Sequence, residues 1–441
     1  MRNIRARLSV AGDDGMTLVE VMVAMFVFAI LSTMVLSSML QIITVNRSSE
    51  AQHVAANLAA AEVELAHDSP DLFTLLDGSR TVTVNGTTFT VTRDTGWVSD
   101  AADATACGTG GGSLRFKRVN VTVTWGGMPA TMDPVRADTL VDPAQRLNDP
   151  AKGTVLVSIR DAQGNGVAGA TVALTPTAEG AATPSRTTDA EGCAYFLQVT
   201  RGTYEVSVSK TNYIGVTLDP TPRQRDVSVA AGTTSSIGFQ YDERATLTAT
   251  VAGSANPVRL PRNLPLTLIS TYGVTPVTLT GTTSFTTTAA TTFTVRVHPR
   301  VTYRLLAGNY GRETGADCTS ADPTAWPEET VLGIGLAAGV APELSMDPGG
   351  TATVDIPMGL VRISARATDL RATPAPGVGT PLCAATFVHT FGDVAANGTI
   401  ALPFGTWKLT NGATGAVVAT VVSSGTAVGN TVTLDPRQVA G

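Results

Sequence analysis

Between Glu20 and Arg47 the chain carries no charged residue, and within that run Val21–Leu31 (VMVAMFVFAIL) is apolar without a break. About 20 apolar residues cross the hydrocarbon of a bilayer as a helix, so the run is long enough to span. Arg2, Arg5 and Arg7 precede it, and Arg47 is the first charge beyond it. Three arginines ahead of a span favour a cytoplasmic start, and the nearby Asp13 and Asp14 count for little in that rule. The expectation is a single-pass membrane protein with its N-terminus in the cytoplasm and everything after about residue 47 outside.

Glu20 does not fit a plain membrane anchor. A carboxylate at the edge of an apolar span costs about 2.5–3.5 kcal/mol on insertion scales, so it needs a partner. Gly15 lies just upstream, followed by Met16-Thr17-Leu18-Val19-Glu20. Cleavage after Gly15 would make Met16 the new amino terminus and Glu20 the fifth residue, one helical turn away on the same face. The amine and the carboxylate could then neutralise each other, within one chain or between neighbours.

Gly15 followed by MTLVEVMVAMFVFAIL resembles the prepilin signal of type IV pilins, minor pilins and pseudopilins. The resemblance covers about 30 residues. It implies that Gly15 is the prepilin-peptidase site, that Met16 is the N-methylated terminus, and that Glu20 meets a neighbour's amine during assembly. It also implies the partners: a prepilin peptidase, other pilin subunits through the helix, and the inner membrane before assembly. Met16 departs from the family's usual Phe, and no proline falls between Gly15 and Asp68, so the kink of many major pilins is not encoded. A secretory signal peptide would have a shorter apolar core and a small-x-small site on its far side. An uncleaved signal anchor accounts for the hydropathy but not for Glu20 together with Gly15.

The helix is expected to run over 16–68, with its transmembrane half at 16–43. Residues 16–67 contain neither Gly nor Pro, and Ala55–Ala66 (AANLAAAEVELA) is dense in strong helix formers. Asp68-Ser69-Pro70 stops it, because the residue before a proline is pushed out of the helical region. Ala29, Thr33 and Ser37 form a small-xxx-small stripe suited to close helix contact. Leu58, Val63 and Leu65 are expected to cover a β head.

After residue 70 the pattern changes to short alternating strands. Thr81–Thr92 reads as a hairpin about Asn85-Gly86, and Arg118–Trp125 as a third strand with Val119, Val121 and Val123 on one face. The expected division is a leader at 1–15, the helix, a pilin-like head at 69–150, a sandwich at 151–240, and β-rich units at 241–355 and 356–441. In the sandwich, strands Val155–Ile159 and Val167–Leu174 are joined through Gly164-Asn165-Gly166. Thr188–Gly192, Ala194–Phe196 and Gly202–Val208 follow. This resembles the carboxypeptidase regulatory-like, transthyretin-like domain, which carries no peptidase chemistry. The fold class is thus α+β: a long N-terminal helix packed on an antiparallel β head, then mainly-β sandwich domains.

Cys107, Cys193, Cys318 and Cys383 all lie beyond the span, and four cysteines allow three pairings. Pairing neighbours, Cys107 with Cys193 and Cys318 with Cys383, would tie adjacent units together. The search for catalytic chemistry is mostly negative. The four histidines (His53, His67, His298, His389) form no H-E-x-x-H, and there is no C-x-x-C or G-x-S-x-G. Asp189 with Glu191 reads as a turn. Lys152 sits where some surface-protein domains place an isopeptide lysine, but no matching Asn is identifiable. No catalytic, metal or cofactor residue is expected, and the chain is not expected to be an enzyme. A formal charge of −6 argues against nucleic acid as a partner. Three functions stay open: a minor pilin displaying its β units for adhesion or interaction, a pseudopilin of a type II-like secretion system, and a membrane-tethered adhesin that never assembles. No surface ligand can be read.

Overall fold

The computed structural model describes residues 18–98, 107–108, 116–143, 149–252, 258–277, 291–308, 322–331, 333–375, 388–412 and 415–437. It is α+β, with one long helix followed by sheets. The chain divides into two units. The first holds the helix and the head through Val141. The second holds Cys107 and Gly108 and everything described from Asp149 onward.

Helix α1 spans Leu18–His67, 50 residues, a rod of about 75 Å at 1.5 Å per residue. It ends where Pro70 demands, with the Asp68 amide donating the last helical bond to the Glu64 carbonyl at 2.9 Å. Strands β1 (Gly78–Val84), β2 (Thr87–Val98), β3 (Phe116–Trp125) and β4 (Val135–Val141) form an antiparallel meander in that order. Asn85 and Gly86 turn the first hairpin with φ of 51° and 77°, the two positive values that a two-residue type I′ turn requires. Strand β4 was not anticipated. Its inward positions Val135, Ala137, Thr139 and Val141 make only a dilute apolar face, and Leu140 points to solvent at 52% exposure.

The face of the helix that meets the sheet corrects the expectation drawn from the larger apolar residues. Ala55, Ala59, Glu62 and Ala66 are buried, whereas Leu65 is 57% exposed and Leu58 and Val63 are only half-buried. Alanines at spacings of four and seven lie on one helical stripe and let the rod approach the sheet closely. The large residues come from the sheet instead. Phe89 faces Trp125, Val91 faces Val123, and Trp97 faces Lys117 across the β2–β3 pair.

In the second unit a sandwich is built from β5 (Gly153–Arg160), β6 (Thr171–Ala178), β7 (Arg186–Thr187), β8 (Cys193–Val199), β9 (Gly202–Ser209), β10 (Tyr213–Gly215), β11 (Arg223–Val229) and β12 (Thr234–Glu243). One sheet has the order β10-β12-β5-β8 and the other β11-β9-β6-β7, with β12 parallel to β5. Val155, Val157, Ile159, Val172, Val206 and Tyr241 meet between the sheets. Strand β12 continues to Glu243, past the expected limit at residue 240.

The division expected at residue 355 falls inside a strand, Thr351–Ile356, which pairs in parallel with Ala245–Val251. Further along, the short strand Val258–Arg259 leaves its own unit and pairs in parallel with Thr399–Ile400. Asn263 continues the strap, donating to the Val388 carbonyl at 2.7 Å and accepting from the Thr390 amide at 3.1 Å. Ala401 correspondingly packs into the core formed by Leu247, Leu266 and Tyr303. The last two β-rich stretches are therefore interleaved rather than sequential.

Candidate functional site

Every side chain from Leu18 to Met39 is exposed. This stretch is the one described helix long and apolar enough to cross a membrane. An apolar surface of that extent is stable only in lipid or against other helices. Its polar residues are compatible with either. The Thr33 hydroxyl donates to the Ile30 carbonyl and the Ser37 hydroxyl to the Met34 carbonyl, both at 2.8 Å. The stripe of Ala29, Thr33 and Ser37 thus offers small side chains without an unsatisfied donor. Glu20 lies exposed in the first turn of this helix. Gly15 and Met16 lie outside the described residues.

At the far end of the rod a second carboxylate is held very differently. Glu62, on the alanine stripe, accepts from Arg93 at 2.8 Å and from two nitrogens of Arg80 at 3.0 Å. Arg93 stands opposite Val121 in an otherwise apolar row of the sheet. A charge there is tolerable only if the covering helix supplies its partner. Lys117 is fully buried, donates to the Leu72 carbonyl at 3.1 Å, and lies 5.4 Å from the Trp97 ring centre. The Glu62 contacts, invisible to local pattern, set the register of the helix on the head. A lone Glu within an alanine stripe was the only signal available.

In the second unit Cys107 and Cys193 form a buried disulfide with a Cα separation of 5.2 Å. Cys318 and Cys383 lie outside the described residues. The Asp189 carboxylate accepts from the Glu191 and Cys193 amides at 3.0 and 2.9 Å, which closes a turn. The Lys152 ammonium donates to the Thr200 hydroxyl at 3.1 Å. No group of three or more potential metal ligands occurs among the described residues. His298 and His389 are both buried, and burial holds each imidazole below its ordinary pKa, His389 at about 3. His389 packs against Trp407 with ring centres 4.9 Å apart and the ring planes tilted by 54°.

Residues 12–36 match the prokaryotic N-terminal methylation motif, and residues 154–242 match the carboxypeptidase regulatory-like domain. The chain therefore couples a prepilin-type N-terminus to a carboxypeptidase regulatory-like sandwich. A comparison with the curated proteins finds no match. Among solved structures, the chain is similar to the Bacillus anthracis TIE protein at 9% identity, over 83% of this chain and 72% of that one, with a TM-score of 0.20. It is similar to a streptococcal ancillary pilin at 13% identity, over 54% and 75% respectively, with a TM-score of 0.18. The minor pilin GBS52 of Streptococcus agalactiae matches at 12% identity, over 46% and 94%, also with a TM-score of 0.18. Superpositions this loose carry no weight for the shape or role of this chain.

Proposed function

We propose that the protein is a minor type IV pilin, a structural subunit and not an enzyme. Prepilin peptidase cuts after Gly15, Met16 is N-methylated, and the apolar helix carries the subunit from the membrane into a filament. The observation that carries this reading is the methylation motif at 12–36, with Glu20 set into an exposed apolar helix. In a filament the Glu20 carboxylate meets the amine of a neighbouring subunit, which offsets the cost of leaving a charge among apolar helices. The β units remain outside for adhesion or interaction. Their number favours a low-abundance place over the repeating shaft. A pseudopilin of a type II-like secretion system shares the same N-terminus and is the second reading, and a tethered adhesin that never assembles is the third.

Mass spectrometry of the mature N-terminus is expected to find N-methylated Met16, and recovery of Met1 or Arg2 would remove the processing step. Glu20→Ala should abolish incorporation into sheared filaments while leaving the protein in the membrane. Filaments that contain the variant at the normal level would overturn the role given to Glu20. Immunogold label along or at the tip of filaments separates a pilin from the other two readings, and label confined to the envelope counts against it.

A further inference from the structure

Where the helix leaves the apolar segment, the Ser48 hydroxyl reaches the Met132 sulfur of the β3–β4 connection at 3.9 Å. The cleft between α1 and the β1–β2 turn has a volume of about 310 Å³. Its inner wall is apolar, from Val54, Val84 and Phe89, and its mouth carries Arg47, Glu50 and Asn85. Arg47 and Glu50 are one helical turn apart and point to the same side. Glu50 accepts from the Asn85 amide at 3.3 Å through one oxygen. Arg47 makes no ion pair among the described residues.

The level of this cleft is fixed by the helix. From Glu20 to Arg47 the rod rises about 40 Å, which equals the thickness of a bilayer with its headgroups, about 40–45 Å. With Glu20 at one surface, Arg47 lies in the headgroup layer of the other. The turn at Asn85-Gly86, beside Glu50, and the β3–β4 connection at Met132, beside Ser48, are then the parts of the head that face the membrane.

We propose that this cleft binds the zwitterionic headgroup of an aminophospholipid, a phosphate followed by a primary ammonium, while the subunit waits in the membrane. Arg47 takes the phosphate as a charge-assisted pair, and the ammonium donates to the free oxygen of Glu50. Val54, Val84 and Phe89 face the carbons between the two charges. A phosphoglycerol headgroup satisfies Arg47 but leaves Glu50 without a cation. A choline headgroup has no N–H to give Glu50, and the cleft has no aromatic cage to hold a quaternary ammonium. The proposal rests on the reading that α1 spans the membrane.

The test uses the full-length protein in vesicles of equal parts phosphatidylethanolamine, phosphatidylglycerol and phosphatidylcholine, extracted in mild detergent and analysed by native mass spectrometry. One retained phosphatidylethanolamine is expected, at least fivefold over either other lipid. Arg47→Gln should lose the retained lipid. Glu50→Gln should erase the preference for phosphatidylethanolamine over phosphatidylglycerol, and Gln52→Ala, exposed on the other side of the helix, should change nothing. Equal retention of the three lipids, or a preference that survives both charge variants, would overturn the proposal. So would a second copy of the chain held in the lipid's place. Alkaline carbonate washing separates the two levels: protein washed out of the vesicles defeats the spanning helix itself, whereas inserted protein without lipid preference defeats only the headgroup site.

Discussion

Lowering the pH from 7 to 5 should weaken the C-terminal β unit through one side chain, His389. Its imidazole is 1% exposed, and burial alone pushes its pKa down to about 3, against 6.5 for the free side chain. The folded-state value is the lower one. Between pH 6.5 and 3 the unfolded chain therefore takes a proton that the native chain refuses, and stability falls as the pH drops. The loss begins near pH 6.5, runs at up to about 1.4 kcal/mol per pH unit, and saturates near pH 3. From pH 7 to 5 it amounts to about 2 kcal/mol, a large fraction of the stability of a small β unit. Several units unfold separately in such a chain, so the measurement must be local. Brief proteolysis across a urea series, with peptides from Gly359–Leu434 scored by mass spectrometry, reports this region. His389→Phe should flatten the pH dependence whatever its absolute stability. His298, also held low by burial, acts in the same direction and stays in the variant as a residual slope. Asp161 is pushed up by burial but pulled further down by bonds from Asn165 and the Gln163 amide. It loses its share only as the pH falls below about 4, outside this window. A His389→Phe slope within 0.5 kcal/mol of the parent's, or an imidazole resonance of His389 that titrates near pH 6.5, would refute the reasoning.

Glu62→Ala should cost the head about 2–3 kcal/mol, because Arg93, with its side chain 23% exposed, is left facing an apolar row, while Arg80, 45% exposed, turns to water. Hydrogen exchange of Ala55–Ala66 should rise, and a double-mutant cycle with Arg93→Ala should return a coupling of about 1 kcal/mol or more. Two glycines with positive φ separate strain from collision. At Gly164 an added Cβ meets nothing within 4 Å, whereas at Gly192 it would lie 2.2 Å from the Ile159 carbonyl oxygen. Gly164→Ala should lower sandwich stability by about 1–2 kcal/mol, and Gly192→Ala should cost clearly more or prevent folding; equal melting shifts would refute the difference.

What local pattern could show, it showed. The charge-free run marks the span, Asn85-Gly86 marks the hairpin, and the alternating apolar residues of β5, β6 and β9 mark the sandwich. Each of these is written in neighbouring residues, at a period of two or as an unbroken block. The helix stripe failed for a physical reason: hydrophobicity ranks leucine above alanine, but a helix meeting a sheet that already supplies Phe89, Trp97 and Trp125 needs small residues. The Glu62–Arg93 pair and the buried Lys117 were illegible because their partners are set by tertiary register. Of the candidate site, Glu20 and the exposed span were legible. The cleft beside Arg47 was not, since its second wall comes from a turn 35 residues away in sequence from Glu50.

The strap at Val258–Asn263 has a consequence for the order in which the chain can finish. Arg259 donates to the carbonyl of Asp393, 134 residues further on, and closing a loop of that length costs roughly 3 kcal/mol more than closing a hairpin. A chain made from its N-terminus can complete the head and the sandwich early. It must hold Val258–Arg259 without a neighbour until Thr399–Ile400 arrives. The stretch from Ala245 onward therefore closes in one late step, and a chain stopped near residue 355 would expose a strand edge and the apolar floor that Ala401 normally covers.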